Sequence, residues 1–251
     1  MFTHRLTKET IFVLAAITLI TQTVIGHAAA TEYNLIETYT VGAREPSGLA
    51  YDPSDDTLWV VEDRGGGIYQ IQKHGEDILG AVIFTSEDLE GIAYNPASKT
   101  FFLAEERKRF ILEIDKKGKL LKTIDIPIEY DETDVNHGFE GVTFDPVSRH
   151  LFVVNEKNPV AVLEVTYDAK IVNSFEVDAE DLSGICLDSR TGNLLVASHE
   201  SQMVMEFTRD GKLVSSFMLD VSKPEGIAID RDGLLYIVCE ETQHLYVYTP
   251  R

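Results

Sequence analysis

Cysteine is almost missing from these 251 residues: Cys186 and Cys239 are the only two, too few for a disulfide scaffold, and no paired Cys or Cys/His spacing suits zinc. Basic side chains are also scarce, with 22 Lys and Arg against 42 Asp and Glu and a net charge of −20. Such a chain is a poor partner for nucleic acid or an anionic lipid surface and favours cations, basic partners or simple solubility. After residue 30 no apolar run is long enough to cross a bilayer. Phosphate-binding loops and nucleophile elbows are absent too; Gly65-Gly66-Gly67 lacks the strand-to-helix setting of the former and reads as a turn.

The first thirty residues differ from the rest. Arg5 and Lys8 precede an apolar run from Ile11 to Ile20, a more polar tail and Ala28-Ala29-Ala30, which is the pattern of a secretory signal over residues 1–30 with cleavage after Ala30. An uncleaved membrane anchor is the competing reading. Either way the expected location is the periplasm, free or membrane-anchored. The remaining segment, 31–251, has 20 basic and 41 acidic residues once Arg5, Lys8 and Glu9 are set aside, and its length suits one all-β domain.

One phrase then recurs five times: SGLAYDPSDDTLWVVED from Ser47, EGIAYNPASKTFFLAEE from Glu90, EGVTFDPVSRHLFVVNE from Glu140, SGICLDSRTGNLLVASH from Ser183 and EGIAIDRDGLLYIVCEE from Glu225. The glycines Gly48, Gly91, Gly141, Gly184 and Gly226 are 43, 50, 43 and 42 residues apart, the period of a four-stranded propeller blade. Each phrase reads as strand, Asp/Asn turn, strand. Third and outer strands follow, but the last copy stops at Arg251 one strand short. The spacing therefore predicts a five-bladed β-propeller in which Tyr33 to Val41 supplies the missing outer strand and joins the two ends of the chain.

In such a wheel the residue before each glycine lies at the mouth of the axial channel. That places Glu90, Glu140 and Glu225 in a ring with Ser47 and Ser183. Carboxylates facing one another are relieved by water and raised pKa values, or by a hard, oxygen-liking cation such as calcium. A second tier follows at the end of the second strand: Glu62 and Asp63, Glu105 and Glu106, Asn155 and Glu156, Ser198 and His199, Glu240 and Glu241. Strand alternation sends one of each pair inward, and Glu105, Asn155 and Glu240 are taken with the ring glutamates as metal ligands. His199 is the candidate general base. Cys186 and Cys239 fall at small packing positions and read as buried thiols, with a bridge as the other possibility. The extra residues between the second and third phrases, Ile126 to His137, form either a solvated connection or a lid.

The phrases EGIAYNP, EGVTFDP and EGIAID, each leading into an LFVVNE-like strand behind a signal segment, resemble the SdiA-regulated (YjiK-like) family of bacterial envelope propellers. The resemblance covers nearly all of 31–251. It implies a five-bladed wheel with a calcium site, acting as a binding or scaffold module for a small molecule or protein, without an established catalytic activity. More distantly the chain is similar to calcium-dependent propeller lactonases, in which the residue before the repeated glycine holds the ion. That likeness nominates Glu90, Glu140 and Glu225 again and makes a lactonase or esterase the alternative.

Overall fold

The computed structural model describes residues 32–251 apart from 76, 87 and 131–135, so the signal or anchor segment lies outside the described residues. The first strand, β1 (Tyr33–Thr40), precedes blade 1: β2 (Pro46–Asp52), β3 (Thr57–Glu62), β4 (Gly67–Ile71) and β5 (Ile78–Ile83). Blade 2 is β6 (Leu89–Asn95), β7 (Thr100–Glu105), β8 (Phe110–Asp115) and β9 (Leu120–Asp125). Blade 3 is β10 (Phe139–Phe144), β11 (Leu151–Asn155), β12 (Ala161–Val165) and β13 (Ile171–Glu176). Blade 4 is β14 (Gly184–Leu187), β15 (Leu194–Ser198), β16 (Met203–Phe207) and β17 (Leu213–Met218). Blade 5 has β18 (Pro224–Ile229), β19 (Leu235–Cys239) and β20 (His244–Pro250), with β1 as its outer strand. The repeat thus gives five antiparallel sheets of four strands, and the chain is a five-bladed β-propeller.

The seam closes as the repeat count requires. Strand β1 runs antiparallel to β20, from Tyr33 opposite Pro250 to Thr40 opposite His244. Arg251 N–H donates to the Glu32 carbonyl (2.8 Å) and its guanidinium meets the Glu32 carboxylate at 2.6 Å. This pairing ties residues more than two hundred positions apart and covers the edge of β20 that blade 5 would otherwise leave open.

Aromatic side chains fill the wedges between blades. Trp59 and Phe101 meet edge to face at 4.8 Å between blades 1 and 2, Phe102 and Phe144 at 5.3 Å between 2 and 3, and Phe175 and Phe207 at 5.4 Å between 3 and 4. Tyr33 stacks on Phe217 at 5.1 Å between blades 4 and 5. Burying a ring such as fully buried Phe101 contributes about 2 kcal/mol or more.

The repeated glycines are explained by how closely the inner strands approach. A Cβ on Gly48 would lie 2.5 Å from the Glu90 carbonyl oxygen, and one on Gly226 would lie 2.5 Å from that of Ser47, each on the next blade's inner strand. Only hydrogen fits there. Just beyond, Leu49, Ile92, Val142, Ile185 and Ile227 converge on the axis, all at most 4% exposed, and leave a gap of about 10 Å³. The axis is thus pinched by an aliphatic collar, with one chamber on either side of it.

Cys186 and Cys239 are both buried and free. By its distance from Gly226, Cys239 would fall at the small packing position held by Val61 and Val154, but the structure places it one step further along the ladder. The turn before β19 is one residue shorter, so Cys239 lies opposite Pro224 as Asn155 lies opposite Phe139 and Glu105 opposite Leu89. Its thiol donates to the Ser222 carbonyl at 2.7 Å.

Candidate metal centre at the axial mouth

The chamber on one side of the collar has a volume of about 160 Å³ and an acidic wall: Asp63, Glu90, Glu140, Glu156, Asp181, Glu225 and Glu240, with Ser47, Ser183 and His199. Local backbone geometry aims the ring residues. In β2, β6, β10 and β18 the pairing register slips where the phrase begins, between Pro46 and Leu49, Leu89 and Gly91, Phe139 and Gly141, and Pro224 and Ile227. The residue before the glycine is therefore bulged out of the ladder, which turns its side chain toward the axis. All five predicted ring positions, Ser47, Glu90, Glu140, Ser183 and Glu225, line the chamber.

Of the second tier, the later member comes forward in the first four pairs and the earlier one, Glu240, in the fifth, where the shorter turn before β19 shifts the pair by one residue. Asp63, Glu156, His199 and Glu240 line the chamber, and Glu106 stands beside Glu140 and Glu156. Glu240 is thus where the sequence placed it. Glu105 and Asn155 are not: both are buried behind the mouth and occupied there. Glu105 accepts from the Lys108 N–H (2.8 Å) and pairs with its ammonium (3.1 Å). Asn155 donates to the Lys157 and Pro159 carbonyls, both at 2.7 Å, and accepts from Arg109 at 2.8 Å. The physical reason is that the first member still belongs to its strand and braces the next turn, whereas the second opens that turn at the rim. Asp88 and Asp181 were not singled out in the sequence. Each lies three residues before its glycine, but the equivalent positions hold Glu45, Gly138 and Lys223, so no repeated letter marks them.

Electrostatically the chamber is an excess of carboxylate with little to offset it. Glu140 has no hydrogen-bond or ion-pair partner among the described residues, and burial, then Glu90 and Glu106, pushes its pKa well above the usual range. Burial first and Asp63 next do the same to Glu90, although the Ser47 hydroxyl donates to its carboxylate. Glu225 is raised by burial and then by Glu90; His199 Nδ1 lies 3.4 Å from its Oε1. Burial also lifts Glu106 to about 8, helped by a hydrogen bond with Asp88, Glu156 to about 7, and Asp63 to about 6. Two oxygen clusters result, Asp63 with Asp88 and Glu90, and Glu106 with Glu140 and Glu156, each with ligand atoms within 4.8 Å of one another. Asp63 Oδ1 and Glu156 Oε2 are buried without a hydrogen-bond partner.

The connection between blades 2 and 3 reaches this rim at its far end. Gly138 N–H points at Glu106 Oε1 (3.3 Å), and Arg109 donates to the His137 carbonyl (2.9 Å) while covering the Tyr130 ring at 4.2 Å. Residues 131–135 of it lie outside the described residues.

Residues 28–249 match the SdiA-regulated family. The chain belongs to that family. The family assignment agrees with the repeated phrases and the wheel they form. Among solved structures, the glutaminyl cyclase of Myxococcus xanthus superposes with a TM-score of 0.67 at 12% identity, covering 88% of this chain and 97% of that one. A chain of a nidogen/laminin complex gives 0.60 at 16% identity (80% and 74% covered), and the virginiamycin B lyase of Staphylococcus aureus gives 0.53 at 17% identity (88% and 74% covered). At such identities the likeness is one of fold alone.

Proposed function

We propose that this member of the SdiA-regulated family is an extracytoplasmic calcium-binding propeller that serves as a binding or scaffold module of the bacterial envelope. The observation that carries the reading is Glu140, a desolvated carboxylate facing Glu90, Glu106 and Glu156 with no ion-pair partner among the described residues. The donor set fits a hard ion. It is all oxygen, it is acidic beyond what neighbouring bases offset, and the orphaned oxygens of Asp63 and Glu156 sit among its members. Glu90, Glu140 and Glu225 would hold the ion, with Asp63, Glu156 and Glu240 within the same wall. Bound there, calcium would supply positive charge shared by several blades at the axis, tightening a wheel whose inner strands otherwise carry mutual repulsion.

A hydrolytic reading has one observation in its favour, the His199–Glu225 pair at the chamber wall. His199 Nδ1 facing a carboxylate is oriented as a general base is, so a water beside Nε2 could lose its proton there. Under that reading the protein is a calcium-dependent lactonase or esterase. The two separate in one assay series: purified protein is offered lactones and aryl esters with and without chelator while its melting is followed. Lost thermal stability without turnover supports the module; chelator-sensitive turnover that Glu140→Gln abolishes supports the enzyme.

A further inference from the structure

The two faces of the wheel differ in ways the net charge hides. On the acidic face four bases are engaged, Arg64 with Asp63, Arg107 with Asp88, Lys108 with Glu105, and Lys157 with Glu200, while Arg44 and Lys223 make no salt bridge among the described residues. The opposite face is made by the turns after the first and third strands of each blade. There Lys99, Lys117, Lys119, Arg149, Lys170 and Lys212 are all exposed and make no salt bridge among the described residues. Blades 2, 3 and 4 contribute them, and although Asp115, Asp168 and Asp210 stand in the same turns, bases outnumber acids in this sector of the face.

Apolar surface is distributed the same way. Of the exposed large hydrophobic side chains among the described residues, all but Ile83, Tyr130 and Met218 lie on this half of the wheel. Their source is a repeated feature of the outer strands, which start at this face with two aliphatics, as in Ile78-Leu79 and Leu120-Leu121. The register slips there, between Gln70 and Ile71 on the partner strand in blade 1 and between Glu113 and Ile114 in blade 2, so the second aliphatic is bulged outward. Val147, 90% exposed, projects from a turn beside Arg149. The chain also joins the wheel here: β1 begins at Tyr33, opposite Pro250, on the face in question, and the apolar run Ile11 to Ile20 precedes it in sequence.

We propose that this face docks on an anionic lipid bilayer, with the acidic mouth turned away from it. Unpaired ammonium and guanidinium groups would meet headgroup phosphates, and the aliphatic rim would enter the interfacial layer. The field of the opposite face, repelled by the same headgroups, fixes the orientation. The inference is independent of the cation site. It also revises the expectation drawn from composition, because a net charge summed over the chain conceals a sector of this face where bases outnumber acids.

Hydrogen exchange of the full chain on phosphatidylcholine vesicles, with and without phosphatidylglycerol, tests the proposal. Amides of 115–121, 166–172 and 208–213 are expected to slow on the anionic vesicles, with 178–183 and 198–202 unchanged. The quadruple variant K117Q/K119Q/K170Q/K212Q should bind them about 600-fold more weakly, a factor of about five per lysine. High salt on the unaltered chain should remove the same protection, which keeps the test valid if the variant folds badly. Equal protection on phosphatidylcholine alone, protection that survives both the variant and salt, protection of the acidic face, or none at all would overturn it.

Discussion

Lys73 Nζ lies 3.0 Å from Asp230 Oδ2, and that contact ties blade 1 to blade 5 across the seam of the wheel. Asp230 is the buried turn residue of the fifth phrase, and it also accepts from the Tyr236 hydroxyl and two backbone N–H groups. The device repeats around the circle. Lys116 of blade 2 reaches Asp52 of blade 1 (3.5 Å), and Arg209 of blade 4 reaches Asp145 of blade 3 (2.7 Å). Where blade 2 has Asn95 in place of the Asp, blade 3 has Tyr167 in place of the base.

Removing the Lys73 ammonium leaves a fully buried carboxylate with hydrogen bonds but no countercharge. Lys73→Met is therefore expected to cost about 2 kcal/mol, less than a wholly buried pair would because Lys73 itself is partly exposed. Urea unfolding measures it, and Lys212→Met, outside any ion pair, is expected to change stability by under about 0.5 kcal/mol.

Glycine substitutions separate close approach from turn geometry. Gly226→Ala would drive a methyl group to 2.5 Å from the Ser47 carbonyl oxygen, in backbone that cannot move without opening the ring. A loss of about 3 kcal/mol or more is expected. Gly192→Ala meets nothing within 4 Å, but its φ of +77° is unfavourable for a side chain, so about 1 kcal/mol is expected. Thermal melts of the two variants should differ accordingly.

The wheel and its closure were legible because a propeller blade repeats its sequence together with its structure, and β1 was recognisable as the strand the fifth copy lacked. The ring residues were legible for the same reason. Which member of each second-tier pair faces the chamber was not, since two adjacent polar letters do not reveal where the ladder ends; Glu105 and Asn155 turned out to brace turns while Glu106 and Glu156 came forward. Asp88 and Asp181 escaped because the wall uses them in only two blades. The aliphatic collar was not legible, since Leu49, Ile92, Val142, Ile185 and Ile227 carry the same letters as any buried inner-strand position.

Stability should fall as pH rises in metal-free protein. In the unfolded chain the chamber carboxylates titrate at about 4, whereas in the folded state Asp63, Glu156 and Glu106 hold their protons to about 6, 7 and 8. Between those limits the native state binds more protons than the unfolded one, so its advantage is whole below about pH 4 and is lost through pH 8. A Tm lower by about 5 °C at pH 8 than at pH 5 is expected with chelator present, and calcium should reverse it.

Glu140→Gln keeps the shape of the side chain and removes the charge that no described residue offsets. The metal-free variant is expected to be more stable than the parent at pH 8 by about 1 kcal/mol, to show a shallower fall with pH, and to gain nothing from added calcium. Melting curves at two pH values, each with and without the ion, check all three.

Calorimetric titration of calcium into chelator-treated protein, run at one pH in buffers of different ionisation enthalpy, addresses the axial seat most directly. A saturable site that releases protons on binding, because Glu140 and its neighbours must give them up, is the predicted result. Absence of saturable binding, or binding with no proton release that Glu140→Gln leaves intact, would contradict the account.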